Sequence, residues 1–187
     1  NALRDLKRAA GLLWSTSTVR ARFEETGALS REDCAGLGLV GPVARASGVP
    51  RDVRHDFPLG AYQAFKLPIT TCTSGDVFAR AQVRWLECDQ SGTVLQRLIE
   101  SLPREPYRAL TRPLAPQSMA VSLVEGWRGE ICHVAVTDSK GQFRRYKVVD
   151  PSFHNWMGLA LAMRGQAVSD FPLCNKSFNL SYCGHDL

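Results

Sequence analysis

Between Asp76 and Leu102, apolar side chains recur as Val77, Ala81, Trp85, Cys88, Val94, Leu95, Leu98, Ile99 and Leu102. Their spacing, mostly three and four residues, predicts one continuous helix with a single apolar face. Asp76 offers a carboxylate to the electropositive end of that helix, and Pro103 closes it. About 26 residues at a rise of 1.5 Å make a rod of about 39 Å, long enough to cross a whole domain. The chain has 187 residues, enough for one domain with a real core and hardly enough for two. Its other elements must therefore be laid out against this rod. Asp76, Arg80, Arg84 and Glu87 fall at four- and three-residue steps and share one side of it.

The stretch Gly41–Arg54 combines glycines, prolines and small residues with Arg45, Arg51, Arg54 and Asp52. It has almost no bulky apolar side chain, so it reads as an irregular loop of the kind that carries function more often than packing. One reading of Arg45, Asp52 and Arg54 is an ion-pair network tying this loop to Asp76, Arg80, Arg84 and Glu87. The other is a charged cleft. Arginine greatly outnumbers lysine along the chain, which suits fixed two-point carboxylate pairs.

Upstream, Leu3–Thr26 reads as a long helix, weakened at Gly11, with Ser15-Thr16-Ser17-Thr18 a polar stretch able to bend or break it and Gly27 as its C-terminal cap. Ser30 caps a short second helix whose first turn carries Glu32 and Asp33. Residues 55–73 sustain neither period and read as an extended connection. After the long helix, 102–117 is a proline-rich linker. Alternation then predicts three short strands, Val121–Glu125, Ile131–Val136 and Phe143–Val149, with Asp138-Ser139-Lys140-Gly141 as a hairpin turn. Asp150-Pro151-Ser152 opens a last helix to about Arg164, with Ser152 as its cap, and the tail 165–187 docks. The expected class is α+β, mainly α: a long-helix bundle with a small antiparallel sheet. It forms a single domain with a helical part (1–112), a sheet (113–150) and a C-terminal helix and tail (151–187).

A second candidate site is the turn Glu125-Gly126-Trp127-Arg128-Gly129-Glu130. Glycines on either side let the backbone turn sharply and project Arg128, with Glu125 and Glu130 placed to orient or bind its guanidinium. The plainer alternative is a strand connection with exposed charges. A formal charge of +5 is spread along the chain and argues against nucleic acid as a partner. No apolar run reaches the roughly 18 residues of a membrane span, and the charges of Leu3–Ala10 argue against a signal peptide. The chain is expected to be a piece of a larger protein. The six cysteines form no C-x-x-C pair and are expected to be reduced. The histidines have no spacing typical of a metal site, and Phe178 and Tyr182 are expected to pack.

Several blocks in order carry a resemblance. They are Gly41-Pro42-Val43-Ala44-Arg45-Ala46-Ser47-Gly48, Arg51-Asp52-Val53-Arg54, Gly75-Asp76 with Arg80, Arg84 and Glu87, and Val124–Glu130. From about Thr18 onward the chain resembles the C-terminal half of one group of large catalytic subunits. The group is shared by respiratory complex I (the quinone-site subunit of NADH-quinone oxidoreductase) and the membrane-bound nickel–iron hydrogenases. Asp150–Trp156 and Asp170–Ser181 look most like the formate-hydrogenlyase and hydrogenase-4 type branch.

The resemblance implies a peripheral protein on the cytoplasmic side of a membrane, docked on an iron–sulfur small subunit and on membrane-embedded subunits. It implies electron transfer between that iron–sulfur partner and a quinone or another acceptor, with NADH and quinone as reactants of the complex and no cofactor in this chain. In the hydrogenases an arginine hangs over the metal centre, and the matching position is Arg128, with Arg45 as the second candidate catalytic residue. The family motif has Ala-Pro before that arginine, where this chain has Gly-Trp. The closing Asp-Pro-Cys-x-x-Cys motif is absent. Ser181 and Gly184 stand where its cysteines belong, and neither replaces a thiolate as a soft ligand. No nickel is therefore expected, and the isolated piece is expected to be inactive. The alternative is a non-catalytic assembly or docking subunit that keeps the fold.

Overall fold

The computed structural model describes residues 2–65, 67–102 and 108–187. The fold is α+β and mainly helical, as the sequence suggests. Its rod is α6, Val77–Glu100, and Asp76 caps it by accepting from Ala79 N at 2.8 Å. The expected closure at Pro103 lies outside the described residues. The buried side of the rod is Val77, Ala79, Arg80, Val83 and Gly92, not the stripe through Ala81 and Trp85. The face turned inward therefore carries small residues and an arginine.

The N-terminal helix breaks within the polar stretch Ser15–Thr18 into α1 (Ala2–Ser15) and α2 (Ser17–Phe23). The hydroxyls of Ser15 and Thr16 both donate back to Leu12 O, at 3.1 and 2.7 Å, which competes with the helical ladder at the break. Helix α1 lies along α6, where Leu3 sits over Gly92, Lys7 pairs with Asp89 and the Trp14 ring meets Phe78 edge-on. Ser30 caps α3, Arg31–Gly36, as expected.

The largest departure is in 41–54. This stretch is no irregular loop: Gly41–Ala46 is a helix, α4, buried at every position, and Val53–Asp56 is a helical turn, α5, capped by Asp52. Small side chains let α4 bury itself by close backbone approach, with Pro42 in its first turn and Val43 and Ala44 in the core. Gly41 has φ +68, and a Cβ there would stand 2.3 Å from Arg128 O. Leu29, Cys34, Leu39, Val43, Ala44 and Val77 form the main core together with Leu159, Ala162, Cys174 and Phe178.

The sheet is an antiparallel meander in the order β1 (Met119–Gly126), β2 (Gly129–Thr137), β3 (Phe143–Val149). The turn before β3 is organised by Asp138, whose carboxylate accepts from Lys140 N and Gln142 N. The following helix, α7 (Pro151–Ala162), is capped by Asp150 rather than Ser152, with Pro151 at its first position and Asp150 Oδ1 accepting from Ser152 N at 2.8 Å. The tail docks as α8 (Phe171–Phe178) and α9 (Tyr182–His185). Phe178 is wholly buried, but Tyr182 is largely exposed and meets the Trp156 ring system edge-on.

Candidate functional site

Arg45 projects from α4 into the space between α6 and the β1–β2 hairpin and is completely buried. Its Nε donates to Glu87 Oε1 at 2.7 Å. Its Nη1 donates to Glu125 Oε1 at 2.9 Å and to Arg51 O at 2.8 Å, with Asp52 at 3.5 Å. Arg54 closes the set by gripping both oxygens of Asp52 at 2.9 and 2.6 Å and standing 3.7 Å from Glu87. Of the expected residues, then, Arg45, Asp52, Arg54, Glu87 and Glu125 form one network. Asp76 and Arg80 do not join it. Asp76 caps α6 and also accepts from Ser74 Oγ and Glu25 N. Arg80 donates to the carbonyls of Gly75 and Gly27 and to Ser177 Oγ, with its guanidinium 4.6 Å over the Phe178 ring.

The flanking glutamates do not hold Arg128. Glu125 and Glu130 are direct cross-strand partners in the β1–β2 register, so two carboxyl groups face each other and each takes its own arginine. Arg45 serves Glu125, and Arg51 serves Glu130 at 2.8 Å. Arg128 instead donates through Nε to the carbonyl of Asn179. Beside it, Arg84 donates to Ser177 O at 2.5 Å and Phe178 O at 3.1 Å. Three consecutive carbonyls at the end of α8 thus rest on two guanidiniums, as suits the negative end of a helix.

Arg84 and Trp127 stand between two hollows and line both. The first, of about 440 Å³, is walled by Pro42, Arg54, Arg84, Glu87, Glu125 and Trp127 and opens toward Leu3, Leu6 and Leu95. The second, of about 340 Å³, is walled by Phe23, Val77, Leu173, Lys176 and Asn179. Arg45 lies sealed behind the glutamates of the first, and Arg128 binds the carbonyl of a residue lining the second. The two arginines singled out from the sequence therefore do not meet in one cavity. Arg84, between them, feels the charge of both.

Burial sets the electrostatics. It pushes Glu125 above the ordinary carboxylate range, against Arg45 and with help from Asp52. For Asp52, burial is outweighed by the hydrogen bond from Arg54 and the charges of Arg45 and Arg54, and its carboxyl is held low. Burial lowers Arg80 to about 10. It also lowers Arg84 to about 10, where Glu87 opposes the shift and Arg45 and Arg128 add to it.

Asn155 is a part of the site that the sequence reading misses. It is wholly buried on α7, accepts from Val40 N at 2.9 Å, and donates to Val40 O at 3.1 Å and Arg128 O at 3.4 Å. It ties the start of α4 to the hairpin tip, and so sets where Arg45 and Glu125 stand. The available signal is an asparagine between apolar positions of a helix.

The position of a nickel–iron centre can be tested on the residues present. Ser181 Oγ accepts from Gly184 N at 3.0 Å as the cap of α9. A Cβ at Gly184 would stand 2.6 Å from the Asp150 carboxyl carbon, so no thiolate side chain fits there without movement. Among the described residues no three His, Cys, Asp or Glu side chains are grouped to hold a metal. Ser181 and Gly184 offer no thiolate at these two positions. Among the described residues no helix is long and apolar enough to cross a membrane.

Comparison with known proteins gives a consistent picture. The family model described as "Respiratory-chain NADH dehydrogenase, 49 Kd subunit" matches residues 1–118 and 110–186. The carbon monoxide-induced hydrogenase of Rhodospirillum rubrum is 35% identical over 168 residues, 90% of this chain and 46% of that protein. An NADH-quinone oxidoreductase subunit of Herpetosiphon aurantiacus is 34% identical over 176 residues, 91% of this chain and 48% of that protein. Among solved structures, a chain of the membrane-bound sulfane sulfur reductase, an archaeal respiratory membrane complex, superposes with a TM-score of 0.91 at 24% identity. That match covers 98% of this chain and 52% of the other. The chain thus spans about half the length of the relatives it matches.

Proposed function

The chain belongs to the family of the 49 kDa subunit of respiratory-chain NADH dehydrogenase, and from that premise we propose that it is the C-terminal part of a large subunit in a membrane-associated oxidoreductase complex. In this reading electrons pass between an iron–sulfur partner subunit and a quinone or another acceptor, and membrane-embedded subunits anchor the assembly. NADH, quinone and the iron–sulfur cluster belong to the complex. This chain supplies a wall of the cleft and holds no nickel.

The observation that carries the reading is Arg45, fully buried and bridging Glu87 and Glu125 behind a cavity they line. A buried guanidinium between two carboxylates fixes geometry more than it adds stability. What it fixes here is the relation of the rod, the hairpin and α4 around that hollow. Arg54 and Trp127 face the cavity directly. Arg128 acts on the cleft indirectly, by seating the end of α8.

A second reading, a non-catalytic docking subunit, draws on the same geometry, because Arg45 is sealed and Nε of Arg128 is spent on a backbone carbonyl. Trp127→Ala separates the two, since Trp127 is half-exposed on the cavity wall and contributes little to the core. In the purified native complex the variant should assemble normally and turn over at least about tenfold more slowly. Normal assembly with unchanged turnover would favour the docking role.

A further inference from the structure

Among the described residues, the buried network has more carboxylates than guanidiniums. Arg45 and Arg54 bridge three acids, Asp52, Glu87 and Glu125. Arg84 keeps its charge, which bears on Glu87, but its Nη atoms bond the Ser177 and Phe178 carbonyls and it is not bonded to any of the three acids. Glu130, across the strand, has its own partner in Arg51. With all three acids ionised, they outnumber by one the guanidiniums bonded to them, and burial leaves little water to solvate the excess, which is costly unless a proton is taken up.

The geometry says which acid takes it. Asp52 is gripped at both oxygens by Arg54. Glu87 shares Arg45 and Arg54. Glu125 has one guanidinium N–H on Oε1 and only a backbone donor, Val53 N at 3.2 Å, on Oε2. It is the least compensated of the three, its side chain is 4% exposed, and the hollow it borders is the first cavity.

We propose that Glu125 is the proton-holding group of this site: it keeps a proton at the cavity wall well above the pH at which an exposed glutamate loses it, and donates it to an acceptor oxygen bound there. The donation rests on the redox reading above, whereas the holding does not. In the transfer the Glu125 O–H bond breaks, an O–H bond forms on an acceptor that has already gained negative charge by reduction, and the carboxylate left behind stays paired with Arg45. Burial, reinforced by Asp52 and opposed by Arg45, raises Glu125 in agreement.

Two measurements test the two halves. In the purified chain with glutamate labelled at the carboxyl carbon, ¹³C NMR should show one carboxyl titrating at higher pH than the rest. Glu125→Gln should abolish that signal. Glu87→Gln, which removes the excess negative charge without touching Glu125, should move the transition to lower pH. A wild-type chain in which every glutamate titrates in the ordinary range would overturn the proposal, as would a Glu87→Gln variant that leaves the high transition in place. In the assembled complex, Glu125→Gln should slow turnover at least about tenfold while Glu125→Asp restores part of it. Full turnover with Gln would overturn the donation. If Trp127→Ala also leaves turnover unchanged, the redox reading fails while the proton site stands on its titration.

Discussion

Replacing Arg45 with methionine tests the network at its centre. The change keeps an unbranched side chain of similar reach and removes the guanidinium bonded to both Glu87 and Glu125. Glu125 carries its own proton and Asp52 retains Arg54 at 2.6 Å, but Glu87 loses its 2.7 Å bond and keeps only the 3.7 Å approach of Arg54, so the main consequence is one carboxylate, Glu87, left buried without a hydrogen-bonded cation. Removing one partner of a buried pair costs about 3–5 kcal/mol. The protein can instead protonate the orphan. From an ordinary carboxylate value of about 4.3, that costs about 3.7 kcal/mol at pH 7, at 1.36 kcal/mol per pH unit. The expected loss at pH 7 is therefore about 3–4 kcal/mol. Because protonation sets the limit, the loss should shrink by about 2 kcal/mol at pH 5.5. Urea unfolding of both proteins, followed by tryptophan fluorescence at the two pH values, measures each difference. A loss under about 1 kcal/mol at pH 7, or one equal at both pH values, would refute the reasoning.

Four further outcomes follow from the same structure. Gly41→Ala places a Cβ against Arg128 O at a positive φ and should cost about 1–3 kcal/mol in urea unfolding. Asn155→Ala strands Val40 N; at about 1–3 kcal/mol for an unsatisfied buried group it should lower the unfolding midpoint and raise amide exchange at the hairpin tip. Asp52 is held below its ordinary value, so its stabilisation is present above that value and lost as pH falls through the depressed one, and Asp52→Asn should flatten the acid limb of an unfolding titration. Exposed Cys183 should react with iodoacetamide in the native chain, and buried Cys34 and Cys174 only on unfolding, as peptide mass spectrometry would show.

The rod, the three strands and the hairpin turn before β3 are legible in the sequence because each has a local cause: a three-and-four period (which finds the rod but not its buried face), an alternation, or a turn built on Asp138. Helix α4 is not, since its residues have low bulk and a sequence shows bulk more readily than closeness. Gly41 belongs to the core because another backbone can approach it, and that backbone is the hairpin tip at Arg128, far along the chain. The break at Thr16 falls in the polar stretch where the sequence places it, but the Asp150 cap escapes the sequence for a related reason. Hydroxyl and carboxylate groups compete for the same orphan backbone atoms, and small differences of placement decide which one binds. In the site, Arg45, Asp52, Arg54, Glu87 and Glu125 stand out by residue type, but the partners of Arg80 and Arg128 are backbone carbonyls. Every residue has a carbonyl, so no pattern of residue types marks which ones an arginine will seek.

That difference in partners divides the arginines by task. Arg45 and Arg54 meet carboxylates, whose charge depends on pH, and the state of their network can therefore change with a single proton. Arg80, Arg84 and Arg128 meet carbonyls of the tail and of the turns around Gly27 and Gly75, which do not titrate, so they hold the same grip throughout the physiological range. Arg84 and Trp127 stand where the two sets adjoin, with the Arg84 guanidinium 5.7 Å from the Trp127 ring. A proton arriving on Glu125 is thus felt by a network framed by contacts that stay fixed, and the charge difference it makes falls on the cavity rather than on the fold.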